Sequence, residues 1–250
     1  MARLALTVLC SILLFSPGFT YAETLTATEI VRRSDELNRR DASYGKVTML
    51  IQRPDWKRTL SIEAWTQGTK NSFIRILSPK KEKGVTFLKK GREAWQFIPS
   101  IDRVIKIPPS MMLQSWLGSD FTNDDIVRAD SLVVDYDHAI LREETDAAVG
   151  YWIIEGISKP DAAVVWGKVI FKINKENFVP ARVGYYDEDG ELVKYYETFD
   201  IKPIEGLAVP TRLVMSDMTR TGYSTTLRYD VLTFQPDIKP GTFTTRNLKR

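Results

Sequence analysis

Thr26, Ala27, Thr28 and Glu29 have the spacing of a capping box, and Ile30 and Leu37 share one face of the stretch behind it, which predicts a first helix near residues 27–39. Beyond it the apolar period drops to two. Val47, Met49 and Ile51 alternate with Lys46, Thr48 and Gln52; Leu60, Ile62 and Ala64 alternate with Ser61 and Glu63; Phe73, Arg75 and Leu77 interleave with Ile74 and Ile76. These are successive strands, and further runs near 84–89, 92–98 and 102–107 continue them. Gly68, Pro79, Gly84, Gly91 and Pro99 punctuate short connections, so the simplest layout is an antiparallel meander.

The rhythm breaks between Pro108 and Asp130, where no period of two survives. Ser110 can cap a short helix running through Leu117, and Thr122 with Asp125 three residues later can cap another. This stretch is expected to be a helical insertion between two sets of strands. Strands then resume near 137–147, 150–158, 166–174, 178–186, 191–201, 209–219 and 222–234, with Asp187-Glu188-Asp189-Gly190 as a tight turn. About a dozen antiparallel strands with few helices imply a mainly β (α+β) fold, a strongly curved sheet or partial barrel with helices packed on its concave side. No linker rich in Pro, Gly or Ser divides residues 23–250, which are expected to form a single domain.

The first 22 residues read as an export signal: Arg3 supplies positive charge, Leu4 to Phe15 an apolar core, and Thr20-Tyr21-Ala22 a cleavage tripeptide. The apolar run is shorter than the roughly 20 residues that span a bilayer, and Pro17 and Gly18 interrupt it. Cleavage after Ala22 also removes Cys10, leaving a cysteine-free chain suited to an oxidising periplasm.

A net charge of +3, from 35 Lys and Arg against 32 Asp and Glu, is too even to supply the positive field that nucleic-acid affinity rests on. One cysteine excludes an intrachain disulfide, and one histidine excludes a multi-His metal site. His138 follows Asp137, but no Gly-x-Ser-x-Gly elbow, His-Glu-x-x-His helix or phosphate loop accompanies it. Asp120, Asp124, Asp125 and Asp130 could attract calcium, but Asp124 and Asp125 fall in the first turn of the second short helix, where acids offset the helix dipole. The expectation is a protein without catalysis, metal or cofactor.

Aromatic and thioether residues are more informative. Trp65, Phe73, Trp95 and Phe97 lie on strands, while Met111, Met112, Leu113, Trp116, Leu117 and Phe121 cluster in the insertion, bracketed by Pro108-Pro109 and Gly118. Strand aromatics often serve only as core. Adjacent flexible methionines suit ligands of varied shape, and a movable lid over an apolar cavity fits them.

The run Ala94-Trp95-Gln96-Phe97-Ile98-Pro99-Ser100-Ile101-Asp102-Arg103-Val104-Ile105-Lys106-Ile107, then Ser115-Trp116-Leu117-Gly118-Ser119-Asp120-Phe121-Thr122-Asn123-Asp124-Asp125-Ile126, resembles the signature of the LolA-like outer-membrane lipoprotein-sorting proteins. The ending Pro240-Gly241-Thr242-Phe243-Thr244-Thr245-Arg246-Asn247-Leu248 is similar to the tail of the same group. The resemblance implies a half-barrel under a helical lid, carrying acyl chains of lipoproteins, or lipid, between an inner-membrane transporter and an outer-membrane acceptor. Relatives with the Gly-Ser-Asp-Phe segment look like partners of RND-superfamily exporters. On this view the chain is a monomeric periplasmic carrier whose cavity is lined by Trp65, Phe73, Trp95 and Phe97 beneath a lid of Met111, Met112, Leu113, Trp116, Leu117 and Phe121. The alternative is a periplasmic adaptor of an exporter or envelope-assembly complex that binds no lipid.

Overall fold

The computed structural model describes residues 25–37, 39–127, 131–162 and 164–250; the expected export signal lies outside them. Helix α1 (Ala27–Glu36) starts where the capping spacing predicts, with the Glu29 amide donating to Thr26 Oγ1 at 3.2 Å. Strands β1 (Ala42–Gln52), β2 (Lys57–Gln67), β3 (Asn71–Ser78), β4 (Thr86–Lys90), β5 (Glu93–Ile98) and β6 (Arg103–Lys106) form the first meander. Short helices α2 (Asn123–Val127) and α3 (Ser131–Val134) follow. The second meander comprises β7 (Tyr136–Asp146), β8 (Val149–Ser158), β9 (Lys168–Asn174), β10 (Pro180–Tyr186), β11 (Leu192–Ile204), β12 (Leu207–Asp217) and β13 (Ser224–Phe234).

All 13 strands belong to one sheet, ordered β6-β5-β4-β3-β2-β1-β13-β12-β11-β10-β9-β8-β7. Every neighbouring pair is antiparallel, and β1 with β13 is the one pair that is not consecutive in the chain. This order has a geometric consequence. The chain leaves the sheet at the edge strand β6 and re-enters at the opposite edge, β7, so the connection, described over 107–127 and 131–135, crosses a face of the sheet. The sheet is open and curved, and the crossing segment, called the strap below, lies over its concave face together with α1.

Two features of the strap differ from the sequence expectation. Ser110 does not start an α-helix through Leu117; only 3-10 turns form, at Pro109–Met111 and Trp116–Gly118. Pro108 and Pro109 lack amide donors, and Leu117 and Gly118 both take positive φ, 53° and 74°, which α-helical geometry does not allow. The second helix does form: Asp125 N donates to Thr122 Oγ1 at 3.2 Å, and Thr122 N donates to Asp125 Oδ2 at 2.7 Å.

Both faces of the first meander are buried. On the concave face Met49 pairs with Leu60, Val47 with Ile62, and Ile74 with both Ala64 and Phe87. These belong to the main core with α1, the strap and β8–β10. On the convex face the register sets Tyr44, Trp65, Phe73, Leu88 and Trp95 side by side. Leu248, from a C-terminal 3-10 turn (Thr245–Lys249), closes over them, and its carbonyl accepts from Thr86 Oγ1 at 2.7 Å.

Candidate functional site

The concave face of the second meander holds a cavity of about 290 Å3. Its apolar wall includes Leu213 and Met215 from β12, Leu227 from β13, and Phe121, Ile126 and Leu132 from the strap. Tyr136, Trp166, Tyr185, Tyr196 and Tyr229 add aromatic surface, while Ser34, Asp35 and Arg39, together with Asp124 and Asp125, make one end polar. Asp35 is ion-paired with Arg39. The cavity therefore combines apolar walls with a small set of convergent polar groups, the usual composition of a small-molecule site.

The strap is held at two buried ion pairs. Arg53, at the end of β1, reaches Asp120 with Nη1 at 3.0 Å and the Gly118 carbonyl with Nη2 at 2.7 Å. Asp120 Oδ2 also accepts from Thr225 Oγ1 at 2.7 Å, and the Asp120 amide donates to the same Oγ1 at 3.0 Å. Both charged side chains are almost fully enclosed, 6% and 1% exposed. Arg58 additionally donates to the Leu117 carbonyl. At the far end Lys194 Nζ meets Asp125 Oδ2 at 2.6 Å and lies 5.1 Å from the ring centres of both Trp166 and Tyr185. The Gly118-Ser119-Asp120-Phe121 segment is thus a polar clasp at the β1–β13 seam. Gly118 is required there: besides its positive φ, an added Cβ would come within 3.1 Å of Arg58 Nη2.

The ten residues singled out from the sequence are not brought together. Trp65, Phe73, Trp95 and Phe97 lie on the convex face in the cluster closed by Phe243 and Leu248. Trp65 and Phe73 form the floor of a separate groove of about 720 Å3, whose other side is the C-terminal segment with Lys239, Arg246 and Arg250. Arg75 spans it, donating to the Arg250 carbonyl at 2.9 Å. In the strap, Trp116 is 4% exposed and packs on Phe87, ring centres 5.2 Å apart. Met111, Met112 and Leu117 pack against the same core, and Leu113 points outward, 62% exposed. Phe121 is the member of the ten that lines the central cavity. Tyr185, Tyr196, Leu213, Met215, Leu227 and Tyr229 escaped the sequence reading. Their period-two spacing was visible, but a single sequence does not say which parity faces inward.

His138, on β7, bonds to residues of α1 and α3. Its Nε2–H donates to the Leu132 carbonyl at 2.9 Å, which leaves Nδ1 to accept from the Thr28 hydroxyl at 3.2 Å. Burial lowers its pKa below the ordinary histidine value. Asp120 and Asp125 are engaged by Arg53 and Lys194, and Asp130 lies outside the described residues.

An open antiparallel sheet curved around an apolar cavity, crossed by a strap between its two free edges, is the architecture of the LolA-like fold. A LolA superfamily protein from Nitrosomonas europaea is 28% identical, with alignment covering 89% of this chain and 99% of that one at a TM-score of 0.76. An outer membrane lipoprotein-sorting protein domain from Vibrio parahaemolyticus is 20% identical over 90% and 98% of the two chains, TM-score 0.77. A DUF1329 family protein from Desulfovibrio piger is 22% identical over 89% and 97%, TM-score 0.82. No curated protein matches the sequence. The chain belongs to the LolA-like family, and its residues 68–250 match a family model described as "Uncharacterized protein".

Proposed function

We propose that this protein is a periplasmic carrier that encloses acyl chains of lipoproteins or lipids and shuttles them from an inner-membrane transporter, an RND-superfamily exporter among the candidates, to the outer membrane. Residues 1–22 act as the export signal, and residues 23–250 work as one monomeric domain without covalent chemistry or cofactor. The observation that carries this reading is the apolar central cavity beneath a strap that is held over the sheet by two buried ion pairs and by the packing of its own apolar side chains. Each acyl methylene taken out of water contributes about 0.8 kcal/mol, so a free chain does not cross an aqueous space unescorted. A volume of about 290 Å3 falls just below the size of ligand pockets, roughly 300–1,000 Å3. Long chains therefore require the strap or α1 to move outward, and an acceptor that binds the open state more tightly draws the cargo off. The engagement of both His138 ring nitrogens by Leu132 and Thr28 favours this over a hydrolase. Among the described residues, no helix is long and apolar enough to cross a membrane.

The test is native mass spectrometry of the protein purified from the periplasm, with organic extraction of what travels with it. A bound lipid or acylated peptide supports the carrier and names its cargo. An empty protein that also fails to take up fluorescent fatty-acid probes sinks it and favours the adaptor.

A further inference from the structure

The convex groove of about 720 Å3 lies on the opposite face of the sheet from the central cavity and differs from it in charge. One wall is the sheet, with Trp65 from β2 and Phe73 and Arg75 from β3; the other is the C-terminal segment, with Lys239, Arg246 and Arg250. Asp237 is the one acidic side chain in the lining. Glu63 stands opposite Arg75 in the strand register, but its carboxylate accepts from the Tyr44 hydroxyl at 2.9 Å and faces Lys46 at 4.0 Å. Among the described residues no carboxylate side chain lies within ion-pair distance of Arg75, Lys239, Arg246 or Arg250. The second meander is different: each arginine on its strands has an acid, Arg142 with Glu144, Arg182 with Glu197, Arg212 with Asp200 and Arg228 with Asp230. On a chain whose charges balance so evenly, cations gathered without counter-charge around one groove suit an anionic ligand.

Arg75 is also held in place. Its guanidinium carbon lies 5.9 Å from the ring centre of Trp65 and 5.4 Å from that of Phe73, and Trp65 is itself braced by Tyr44 at 5.2 Å. One nitrogen, Nη2, donates to the Arg250 carbonyl at 2.9 Å, and the others are open to water. A guanidinium fixed against aromatic rings keeps its fork of donors in one orientation, so little freedom is lost when an oxyanion replaces that water. Arg246 and Arg250 approach from the other wall. Counting a carboxylate at Arg250 as well as Asp237, the lining still holds four cations against two acids. A phosphate group matches that excess, carrying nearly two charges and enough acceptor oxygens to reach both walls. We propose that the convex groove binds the phosphate of a phosphate ester, soluble or in a lipid headgroup, with Arg75 on the sheet and Arg246 and Arg250 on the C-terminal segment as its donors. Bound there, the phosphate bridges the two walls and fastens the C-terminal segment to the sheet. The site is independent of what the central cavity holds.

The experiment measures melting temperature and calorimetric binding with sodium phosphate, glycerol 3-phosphate, or vesicles of phosphatidylcholine with and without phosphatidylglycerol, each against sodium chloride at equal ionic strength. A ligand of the folded state raises the melting temperature, so at least one phosphate arm should exceed its chloride control. Arg246→Gln should weaken that binding about tenfold, the size of one charge-assisted hydrogen bond at an open site. Its side chain makes no hydrogen bond or ion pair among the described residues, so the variant should melt with the parent when no phosphate is present. Arg182→Gln removes the same charge from β10, outside the groove, and should leave binding unchanged. Binding of glycerol 3-phosphate without vesicle capture supports the site and identifies a soluble ester. Capture by the phosphatidylglycerol vesicles alone, lost in Arg246→Gln, supports it and identifies a lipid headgroup. Phosphate arms that all match chloride, indifference to Arg246→Gln, or equal weakening by Arg246→Gln and Arg182→Gln overturns the assignment.

Discussion

Asp120 and Arg53, 67 positions apart in the chain, form a buried ion pair 3.0 Å long that fastens the strap to the seam between the two meanders. The pair is nearly inaccessible on both sides, and Arg220 approaches the other Asp120 oxygen at 3.7 Å. Removing one member leaves a guanidinium desolvated and uncompensated. Asp120→Ala is expected to cost about 3–5 kcal/mol of stability by denaturant titration. The double variant Arg53→Met with Asp120→Leu should recover part of that loss because it buries no charge. A loss under about 1 kcal/mol for Asp120→Ala, the range of surface pairs, would show that the clasp is open in solution.

Leu248 is fully buried on the convex face against Phe73, Leu88 and Phe97, and the tail that carries it has no strand to hold it. Its side chain and the Thr86 hydroxyl bond to its carbonyl seat the C-terminal segment, together with Phe243, the Arg75 bond to the Arg250 carbonyl and the Lys249–Asp102 pair. Leu248→Ala should cost about 2–5 kcal/mol and expose Trp65 to solvent. The check is a red shift and stronger acrylamide quenching of tryptophan emission relative to the parent protein. Unchanged emission with unchanged stability would mean that the tail does not cover this face.

The strands were readable because period-two alternation reports pairing in the backbone, and the capping contacts at Thr26 and Thr122 were readable because both partners lie within three residues. Which face is inside was not readable. In the first meander both faces are covered, the concave one by the strap and the convex one by a C-terminal stretch with no periodicity. Aromatic residues consequently occur on both parities, Phe87 inward, Trp95 outward. The large tryptophans drew attention to the convex side, whereas the central cavity is walled by tyrosines, leucines and a methionine of ordinary strand appearance. The clasp escaped for a different reason: Arg53 and Asp120 are joined only by the tertiary fold.

His138 gives the fold a pH dependence of known sign. Its folded pKa lies below the unfolded value of about 6.5, chiefly because burial disfavours the imidazolium. As pH falls through 6.5 the unfolded chain takes up the proton first, so the stability this residue contributes is present above that value and is lost as pH falls toward the folded pKa. Glu29, held at about 2 by Arg32 and Arg33, does not titrate in this window. Melting temperature measured from pH 7.5 to 5 should fall more steeply for the parent than for His138→Gln, which keeps a donor and an acceptor without the charge. Parallel curves would refute the assignment.

Trp116 connects the strap to the sheet by packing rather than by charge. Its ring lies on Phe87 from β4, three residues beyond the exposed Leu113, and its indole Nε1 is buried without a hydrogen-bond partner. Two substitutions separate the consequences of that geometry. Trp116→Phe keeps an aromatic contact and removes the unsatisfied N–H, so the loss should stay below about 1.5 kcal/mol and ligand uptake should persist. Trp116→Asp places a carboxylate against Phe87 in the buried core, and the strap should lift from that half of the sheet while the strands, held by their own ladders, keep their far-ultraviolet circular dichroism. With the cover displaced, uptake of a fluorescent fatty-acid probe should be abolished. Retention of both circular dichroism and uptake in Trp116→Asp would show that the strap is scaffold and that the cavity opens elsewhere, at α1.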